Sequence, residues 1–577
     1  MPATTTTVPQ RTCTDSDGGK VYGTKGSVFD GNLNATDFCS GGLLYEYYCR
    51  ADNTATAETY PCANGCVDGA CVSTGTTTTT VTTTTTLPPT TTTTTIPTLI
   101  GSDLDVTYIA RTPRYYRYDV VYVDNLPQLR AGTENQKRWP ATGETVAYTA
   151  HVINKGNNTP GSFGYQWLVN NASVASGTHG SIAPGQDAAL TYSMAWTLIL
   201  QNITFRVDQN SAIPETVETN NERTIGSHDL TISIWAERGI YELFNNRTNL
   251  AGSYSFEDWI QAQVAKLNER FEQARYQTAP GGVRDRLRID KIVVAENLDG
   301  GSSPMNSDPD QFLIDGRWQF ADGDATNANG QGGAWLNYVS IFAATIDWGL
   351  IHEMAHQLGI IDLYRMNLAT DPPNRGVQVQ DGNGNVVPAS NLPAYGFDQI
   401  VFPYGGLMGG GDTSPYRDGT YFESHTAGGM NAHYNHRRGY FGEYLYDTPL
   451  ATSVQVLNAT GGIIASAQIA FYQKDAFTEI IDNTPEISGT TNTQGVMALP
   501  NRPVTPVTTA TGHTLRPNPF GHITVAGHNG TMIVKITKDN TEGYGFLTVH
   551  DLNVAYWAGN TSAATITVRT NYPKITL

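Results

Sequence analysis

The residues best suited to chemistry lie in one short stretch, residues 351–362, which read IHEMAHQLGIID. His352 and His356 are one helical turn apart, so on a helix both imidazoles point to the same side and can bind one tetrahedral Zn²⁺. Glu353 is rotated off that pair and can reach a water molecule on the metal. The spacing therefore predicts a hydrolytic zinc site in which Glu353 is the general base.

A third protein ligand is expected close by. Gly359 is placed to end the helix, because glycine enters the left-handed conformation without steric cost. The turn would bring Asp362 back towards the metal as an oxygen ligand, leaving one position open for water. Glu423 or His425, further along the chain, could supply this ligand instead. If Asp362 does not bind metal, it would cap the following turn or pair with Arg365.

A second element follows downstream, because residues 404–411, YGGLMGGG, predict a tight glycine-rich turn around Met408. The histidine motif followed by this turn resembles the metzincin clan of zinc peptidases, in which a methionine turn forms an apolar floor under the metal. Within the clan the sequence is most similar to the immune-inhibitor-A-like secreted metallopeptidases. There the aspartate runs into Leu-Tyr, as Asp362 does here, and a helix like residues 428–440 follows the turn. The resemblance implies a zinc-dependent endopeptidase with Met408 below the metal.

The sequence departs from this family at two points. Ile360 and Ile361 stand where a Leu-Pro pair is common in the family. The tyrosine that the clan usually carries two residues after the methionine is replaced here, so the oxyanion side has no assigned residue. Three tyrosines are unranked substitutes: Tyr404, Tyr416 and Tyr421.

The elements that would position this site begin near residue 228 with an α/β pattern. Three segments read as strands: residues 231–236, 289–295 and 334–342. Ser255 and Asp258 form an N-cap pair for a helix whose apolar side chains fall on one face. The helix of the histidine motif starts near Asp347. We therefore expect an α/β (α+β) metzincin-like catalytic domain at residues 228–448.

Two all-β regions flank this domain. Residues 101–227 alternate polar and apolar residues between turn signals, the pattern of a β-sandwich. They also resemble the cell-adhesion-related domain of prokaryotic surface proteins in four segments: residues 143–146, 152–156, 182–185 and 207–222. This resemblance implies a spacer or binding module. Residues 449–577 return to alternation and predict a second, immunoglobulin-like sandwich, whose start loosely resembles carboxypeptidase-regulatory-like tails.

The N-terminal segment contains all the cysteines: Cys13, Cys39, Cys49, Cys62, Cys66 and Cys71. An even, clustered set in a short segment predicts a disulfide-rich module and an oxidising compartment. The alternative is a zinc module that uses the spacing of Cys62 and Cys66. Residues 76–100, nearly pure Thr with Pro, predict an extended, O-glycosylated linker. The predicted boundaries are therefore 1–75, 76–100, 101–227, 228–448 and 449–577.

The amino-acid composition limits the classes of partner that the protein is expected to bind. Acidic side chains number 53 and basic ones 35, so the formal net charge is −18. This argues against nucleic acid as a partner, because its phosphates attract clustered Lys and Arg. No apolar run approaches the roughly 20 residues of a membrane span. The chain starts with MPATTTTVPQ rather than with a signal peptide, so we expect an extracellular or cell-surface protein whose signal or anchor segment has been removed.

Two stretches rich in Asp, Asn and Gly offer the oxygen ligands that Ca²⁺ prefers. The first covers residues 308–324 and the second residues 381–385. Neither has the spacing of an EF-hand, and for the second a polar hairpin is the favoured alternative. Calcium is thus a candidate cofactor beside zinc.

Two functions follow from these patterns. The first is an exported zinc-dependent endopeptidase that cleaves protein or peptide substrates, with its β-sandwiches contacting a cell-surface or polymeric partner. The second is a non-catalytic surface, fibre or adhesion protein that uses the metallopeptidase-like domain as a scaffold. We favour the first because every residue type that catalysis requires is present.

Overall fold

The structure is a computed structural model of the 577-residue chain. The residues that it describes are 13–29, 34–40, 43–49, 55–62, 66–67, 70–71, 101–115, 120–123, 126–129, 139–246, 253, 255–296, 298, 303–311, 313–320, 346–356, 358–366, 368–369, 378–379, 400–401, 406–409, 420–432, 434, 443–475, 480–481, 484–505, 515–524 and 527–573. Three predicted segments lie outside them: the linker at 76–100, the strand at 334–342 and the hairpin at 381–385.

Two compact units divide the chain, Met1–Thr94 and Thr95–Leu577. The first contains short antiparallel strands: β1 (Thr14–Asp15), β2 (Ser27–Phe29), β3 (Asn34–Thr36), β4 (Phe38–Ser40), β5 (Leu43–Cys49), β6 (Ala55–Pro61), β7 (Cys66–Val67) and β8 (Ala70–Cys71). They form the sheets β1-β2-β3, β4-β5-β6 and β7-β8. Disulfides join Cys13 to Cys49 and Cys62 to Cys71. These bonds confirm a disulfide-stapled module and make the alternative zinc site wrong, because Cys62 is already paired.

The larger unit begins with the predicted β-sandwich. Its strands are β9 (Leu104–Thr112), β10 (Val120–Val123), β11 (Leu126–Leu129), β12 (Thr145–Asn154), β13 (Phe163–Val169), β14 (Ala172–His179), β15 (Asp187–Ala195), β16 (Asn202–Val207) and β17 (Glu222–Gly226). The sheets β15-β12-β9 and β14-β13-β16-β17 enclose an apolar core that includes Tyr148, Trp167 and Phe205. Alternate residues of β12 are buried, as expected for a strand with one face on the core.

A small parallel sheet with helices follows the sandwich. Its elements are β18 (Leu230–Glu237), α1 (Arg238–Asn246), α2 (Phe256–Gln273), β19 (Leu287–Ala295), β20 (Gly316–Phe320), α3 (Trp348–His356), β21 (Leu368–Ala369), β22 (Gln378–Val379), β23 (Ile400–Val401) and α4 (Ser424–Ala432). The sheet order is β19-β18-β20, with both pairs parallel. Ser255 caps α2 as predicted, because its hydroxyl accepts a hydrogen bond from the Asp258 N–H.

Two details of this region differ from the prediction. The sheet contains β20, a strand that the sequence pattern did not reveal because Arg317 and Gln319 interrupt its apolar residues. Helix α4 begins at Ser424, four residues before the predicted helix at 428–440. It starts there because the Glu423 carboxylate accepts hydrogen bonds from N–H groups of the first turn, which have no partner within the helix.

A buried ion-pair cluster joins the sandwich to the parallel sheet. Asp290 of β19 accepts a hydrogen bond from the Arg111 backbone N–H, at 2.9 Å, and from the Arg114 guanidinium, at 2.6 Å. Arg288, also on β19, lies 2.7 Å from Asp290 and donates to the carbonyl of Ile109. The side chains of Asp290 and Arg288 are 0% and 2% exposed. The contact is therefore a fixed part of the fold.

The C-terminal region is a second sandwich, also as predicted. Its elements are β24 (Ala451–Leu457), β25 (Gln468–Gln473), β26 (Ile480–Ile481), β27 (Ile487–Thr490), β28 (Val496–Leu499), β29 (Thr531–Lys538), β30 (Thr541–Thr548), α5 (Val549–Trp557) and β31 (Ala563–Arg569). The sheets are β28-β24-β31 and β27-β25-β29-β30. One apolar core runs from β18 into this sandwich, and the Thr531 hydroxyl donates to the Met366 carbonyl at 2.6 Å. Within the described part of the chain, no helix combines the length and apolarity needed to cross a bilayer.

Candidate metal centre

Helix α3 is held by its cap and by its apolar face. The Asp347 carboxylate accepts a hydrogen bond from the Leu350 N–H at 3.0 Å, which satisfies one of the free donors of the first turn. Leu350, Ile351 and Met354 are fully buried in the core of the region. Because these side chains fix the rotation of the helix, they also fix the direction in which its two histidines point.

A glycine turn ends the helix and returns the chain to the histidines. Gly359 has φ +85°, in the left-handed region that favours glycine. Its N–H donates to the His356 carbonyl at 2.9 Å. The next residue, Ile360, places its carbonyl 2.8 Å from His356 Nδ1. Asp362 follows two residues later, and the turn brings it to the centre as predicted.

The two imidazoles and Asp362 share one point. Asp362 Oδ1 lies 3.1 Å from His352 Nε2 and 3.1 Å from His356 Nε2. On the other side of the rings, His352 Nδ1 lies 3.0 Å from the Leu407 carbonyl and His356 Nδ1 contacts the Ile360 carbonyl. Carbonyl oxygens only accept, so both Nδ1 atoms carry hydrogen, and each Nε2 faces the carboxylate with a lone pair or, when the imidazole is charged, with a second hydrogen. Lone pairs of three such atoms come together only around a proton or a cation.

The donor set fits zinc. Tetrahedral zinc with ligand distances of about 2.0–2.1 Å has neighbouring ligand atoms about 3.3 Å apart, close to the 3.1 Å between Asp362 Oδ1 and each Nε2. Two imidazole nitrogens and one carboxylate oxygen are also the ligand types of catalytic zinc sites. Glu353 completes the group, since its carboxylate and one nitrogen of each histidine lie within 4.8 Å of one another.

Burial and solvent access differ among these side chains. The histidines are 7% and 5% exposed, Asp362 is 15% exposed and Glu353 is 27% exposed. Glu353 Oε2 lies 3.9 Å from His356 Nε2. Solvent thus reaches the centre on the side of Glu353, where a general base has to meet water.

The electrostatics of the centre favour positive charge. Burial lowers the pKa of the His352 imidazole, but the hydrogen bond and the charge of Asp362 outweigh it and raise that pKa to about 9. Burial also raises the pKa of Asp362, yet its hydrogen bonds to His352 and His356 hold that pKa well below its usual range. A cation at the shared point would experience the same field.

The turn at Met408 lies against the centre. Residues Leu407–Gly409 form one turn of 3₁₀-helix, and Met408 is 1% exposed. Gly406 precedes it with φ +87°, and a Cβ at this position would lie 2.8 Å from the Tyr421 carbonyl. Glycine is therefore required there. The turn places the Leu407 carbonyl against His352, so it supports a ligand as well as packing below it.

The structure gives the alternative ligands other partners. The Glu423 carboxylate accepts the N–H groups of His425 and Thr426 at 2.6 and 2.7 Å and so caps α4. His425 is fully buried, with Nε2 3.3 Å from Asn553 Oδ1. Of the tyrosine substitutes, Tyr421 is 44% exposed, whereas Tyr404 and Tyr416 lie outside the described residues.

The first predicted calcium stretch is partly described, and its acids pair with bases. Asp308 Oδ1 and Asp310 Oδ2 lie 2.6 and 3.2 Å from Lys291 Nζ. Asp310 also pairs with Arg114 at 3.0 Å. The partners of these carboxylates are therefore Lys and Arg side chains. The rest of the stretch, residues 321–324, lies outside the described residues.

Sequence reasoning missed the groups that orient the ligands. The Ile360 and Leu407 carbonyls fix both histidine tautomers, and the Tyr444 hydroxyl accepts the Ile361 N–H at 3.3 Å beneath the turn. Backbone carbonyls carry no signal in residue identity. The two glycines at 359 and 406, each with positive φ, were the available hint that the chain turns sharply beside both carbonyls.

Comparison with protein-family models gives a match for one region of the chain. Residues 126–225 match the family model of the CARDB domain, which confirms the cell-adhesion-related module over that range. A search of curated proteins gave no match.

Three solved structures resemble about a fifth of the chain. A crystal structure of a Pyrococcus furiosus CARDB domain in complex with di-metal ions is 19% identical, covers 22% of this chain and 89% of its own, and has a TM-score of 0.16. The solution structure of the same domain gives 19%, 22% and 94%, with a TM-score of 0.16. A domain of a putative cell surface protein from Methanosarcina acetivorans is 23% identical, covers 22% and 90%, and has a TM-score of 0.15. These scores carry no argument about function.

Proposed function

We propose that residues 228–448 form a metzincin-like, zinc-dependent peptidase domain within an extracellular or cell-surface protein. One observation carries the proposal: Asp362 Oδ1 is 3.1 Å from Nε2 of both His352 and His356, while both Nδ1 atoms face backbone carbonyls. His352, His356 and Asp362 would hold the ion. Bound zinc supplies a Lewis acid and lowers the pKa of water to about 7.

The chain's own residues would do the rest. Glu353, the most exposed carboxylate of the group at 27%, accepts the proton of the attacking water and delivers it to the leaving amine. The Leu407 and Ile360 carbonyls keep the two imidazoles in the tautomer whose Nε2 atoms face the ion. Met408, in the same turn as Leu407, is buried in the apolar core and would hold that turn in place. A peptide bond of a protein substrate would bind next to Glu353.

Glu353→Gln tests this proposal, because the amide keeps the shape of the side chain and cannot take a proton. We expect cleavage of casein to fall by about 10²–10⁴-fold, the usual contribution of a general base, with the bound zinc unchanged. Removing zinc with a chelator should abolish cleavage by the unaltered protein, and adding zinc should restore it. The matched control is Glu272→Gln, a carboxylate 64% exposed on α2, which should keep full activity. A Glu353→Gln protein that cleaves at the normal rate would sink the assigned role.

A second function is supported by the CARDB match at 126–225: a non-catalytic surface or adhesion protein that uses the zinc centre as a structural site. It predicts the same zinc content. It also predicts that casein and a peptide library remain uncut by the unaltered protein, so the cleavage assay separates the two functions. The disulfide-stapled N-terminal unit is typical of extracellular proteins under either function.

A further inference from the structure

Four carboxylates converge in the disulfide-stapled N-terminal unit, far in sequence from the histidine motif. Oxygen atoms of Asp17, Asp37 and Glu46 lie within 4.8 Å of one another. Asp15 joins them, since its Oδ1 accepts the Asp17 N–H at 3.4 Å. Asp37 and Glu46 are 1% and 0% exposed. Carboxylates are rarely buried to this degree unless a cation compensates them.

Backbone hydrogen bonds hold these carboxylates in place. Asp37 accepts the Gly26 N–H at 2.5 Å and the Tyr47 N–H at 2.7 Å. Glu46 Oε1 accepts the Val21 N–H at 2.5 Å, and Asp15 Oδ2 accepts the Cys49 N–H at 3.3 Å. The cluster is thus fixed by the fold, beside the disulfide that contains Cys49.

The remaining oxygens are buried without donors. Glu46 Oε2, on a side chain with no exposed surface, accepts no hydrogen bond among the described residues, and neither do Asp17 Oδ1 and Oδ2. One carboxylate oxygen of each of Asp17, Asp37 and Glu46 lies within 4.8 Å of the others, so the buried oxygens without donors are on side chains of this cluster. A buried carboxylate oxygen left without a partner costs free energy unless a positive charge stands in for the donor.

The fold makes room for this arrangement at one glycine. A Cβ on Gly26 would lie 2.4 Å from Asp17 Oδ1 and 2.7 Å from Asp17 Oδ2. The Asp17 carboxylate therefore rests directly on the Gly26 backbone, whose N–H binds Asp37. Any side chain at this position would push Asp17 away from the other acids.

The charges in the cluster reinforce one another. Burial, together with the charges of Asp37, Asp17 and Asp15, raises the pKa of Glu46 to about 7. Burial and the neighbouring Asp15 and Asp37 raise the pKa of Asp17 to about 6. Above these values the ionised carboxylates repel one another, and a bound cation would relieve that repulsion.

We propose that Asp15, Asp17, Asp37 and Glu46 bind one Ca²⁺ ion beside the Cys13–Cys49 disulfide. The ion would connect three segments: strand β1 with the residues after it, the turn that precedes β4, and strand β5. All the available side-chain ligands are carboxylate oxygens, the hard donors that Ca²⁺ prefers, and the set has no nitrogen or sulfur to select zinc. Ca²⁺ also accepts irregular geometry and both oxygens of one carboxylate, whereas Mg²⁺ requires a near-octahedral set. The site is independent of the histidine motif and of the proposed peptidase activity.

The test uses the full-length, disulfide-bonded protein, stripped with chelator and titrated with CaCl₂ by calorimetry at pH 8, where the acids are ionised. We expect Glu46→Gln and Asp17→Asn to weaken the binding of one Ca²⁺ by about tenfold or more, since ligand charge sets affinity at such sites. Glu296→Gln, an acid 59% exposed in the other unit, is the control and should bind as the unaltered protein does. MgCl₂ should bind at least tenfold more weakly than CaCl₂.

A second measurement reads the N-terminal unit alone: the rate at which dithiothreitol reduces the Cys13–Cys49 disulfide. With Ca²⁺, reduction of the unaltered protein should slow several-fold, and that of the two variants should not change. Without Ca²⁺, both variants should resist reduction better than the unaltered protein, because each removes one repelling charge. Equal Ca²⁺ affinity in all four proteins would overturn the proposal. The proposal would also be overturned if the disulfide of both variants were reduced faster than that of the unaltered protein by the same factor with and without Ca²⁺. The acids would then have only a structural role.

Discussion

Two pairs of buried histidines lie in the described part of the larger unit, and their surroundings differ. His352 and His356 face the carboxylate of Asp362 at 3.1 Å. His425 and His550 face each other, with ring centroids 4.0 Å apart. All four side chains are buried. Burial therefore does not distinguish the two pairs, and the groups around the rings do.

The surroundings move the pKa values in opposite directions. Asp362 raises the pKa of His352 to about 9 against the effect of burial. Burial lowers the pKa of His425 to about 3, with only the amide of Asn553 opposing it, and burial and the neighbouring His425 lower that of His550. The surroundings of His352 therefore favour positive charge, and those of His425 and His550 disfavour it. Four predictions test this contrast, beginning with the largest expected effect.

Replacing one histidine of each pair should give opposite results for zinc binding and for cleavage. His356→Ala removes a ligand, so we expect loss of bound zinc and a fall in cleavage to the level of Glu353→Gln, about 10²–10⁴-fold. His550→Gln should keep both the zinc and the activity, at a cost in stability only. Metal analysis and the casein assay on the two proteins measure this. Loss of zinc from His550→Gln would contradict the assignment.

The third ligand can be decided by a matched pair of acids. Asp362→Asn should weaken zinc binding at least about tenfold, an effect that even removal of a group supporting a ligand produces. Glu423→Gln should leave zinc affinity unchanged, because Glu423 caps α4. Competition with a chromogenic chelator gives both affinities. The opposite order would make Glu423 the ligand.

The Met408 turn should contribute stability and positioning together. Met408→Ala leaves a cavity at a fully buried position and should lower the free energy of unfolding by about 2–5 kcal/mol. Zinc affinity should fall with it, since the Leu407 carbonyl that orients His352 moves. Met408→Leu keeps the volume and should cost less than about 1.5 kcal/mol. Urea denaturation and the chelator competition report the two effects, and equal zinc affinity in all three proteins would show that the turn only packs.

The second pair, His425 and His550, should make the stability of the folded protein depend on pH. Both histidines have pKa values below the usual range in the folded state, so below about pH 6.5 the unfolded chain binds protons that the folded chain does not. Stability should fall as the pH drops from about 6.5 towards 4, by roughly 1 kcal/mol per pH unit for each histidine. Urea midpoints across this range measure the slope.

His550→Gln supplies the control for this slope. Its pH dependence should be flatter than that of the unaltered protein, even if its stability is lower throughout. Glu423 Oε2 lies 3.8 Å from His550 Nε2, and burial raises the pKa of Glu423, which weakens its support for a charged His550. An unchanged slope would place the acid sensitivity elsewhere.

The convergence of His352, His356 and Asp362 could be predicted because the three residues are close in sequence. His352, His356 and Asp362 occupy one helix and the turn after it, so their spacing alone brings them together once Gly359 ends the helix. The same was true of the Ser255 cap of α2 and of the alternating residues of β12. In each case the period of a single element carries the information.

Features assembled from distant segments could not be predicted. His425 and His550 meet only because α4 packs against α5, and residue type alone does not show which buried rings face each other. The acids of the N-terminal unit come from several strands and their turns. Strand β20 was missed because its polar residues, Arg317 and Gln319, face groups that only the folded sheet provides.

The ion-pair cluster around Asp290 has a consequence for the whole larger unit. A sandwich joined through a flexible linker would let a catalytic centre move relative to the surface that the sandwich binds. Here Arg114 and Arg288 clamp the CARDB-type module to the strand next to the sheet's centre. If that module binds a surface, the proposed zinc centre would lie at a fixed distance from it, so the position of cleavage in a substrate would depend on distance from the surface as well as on sequence.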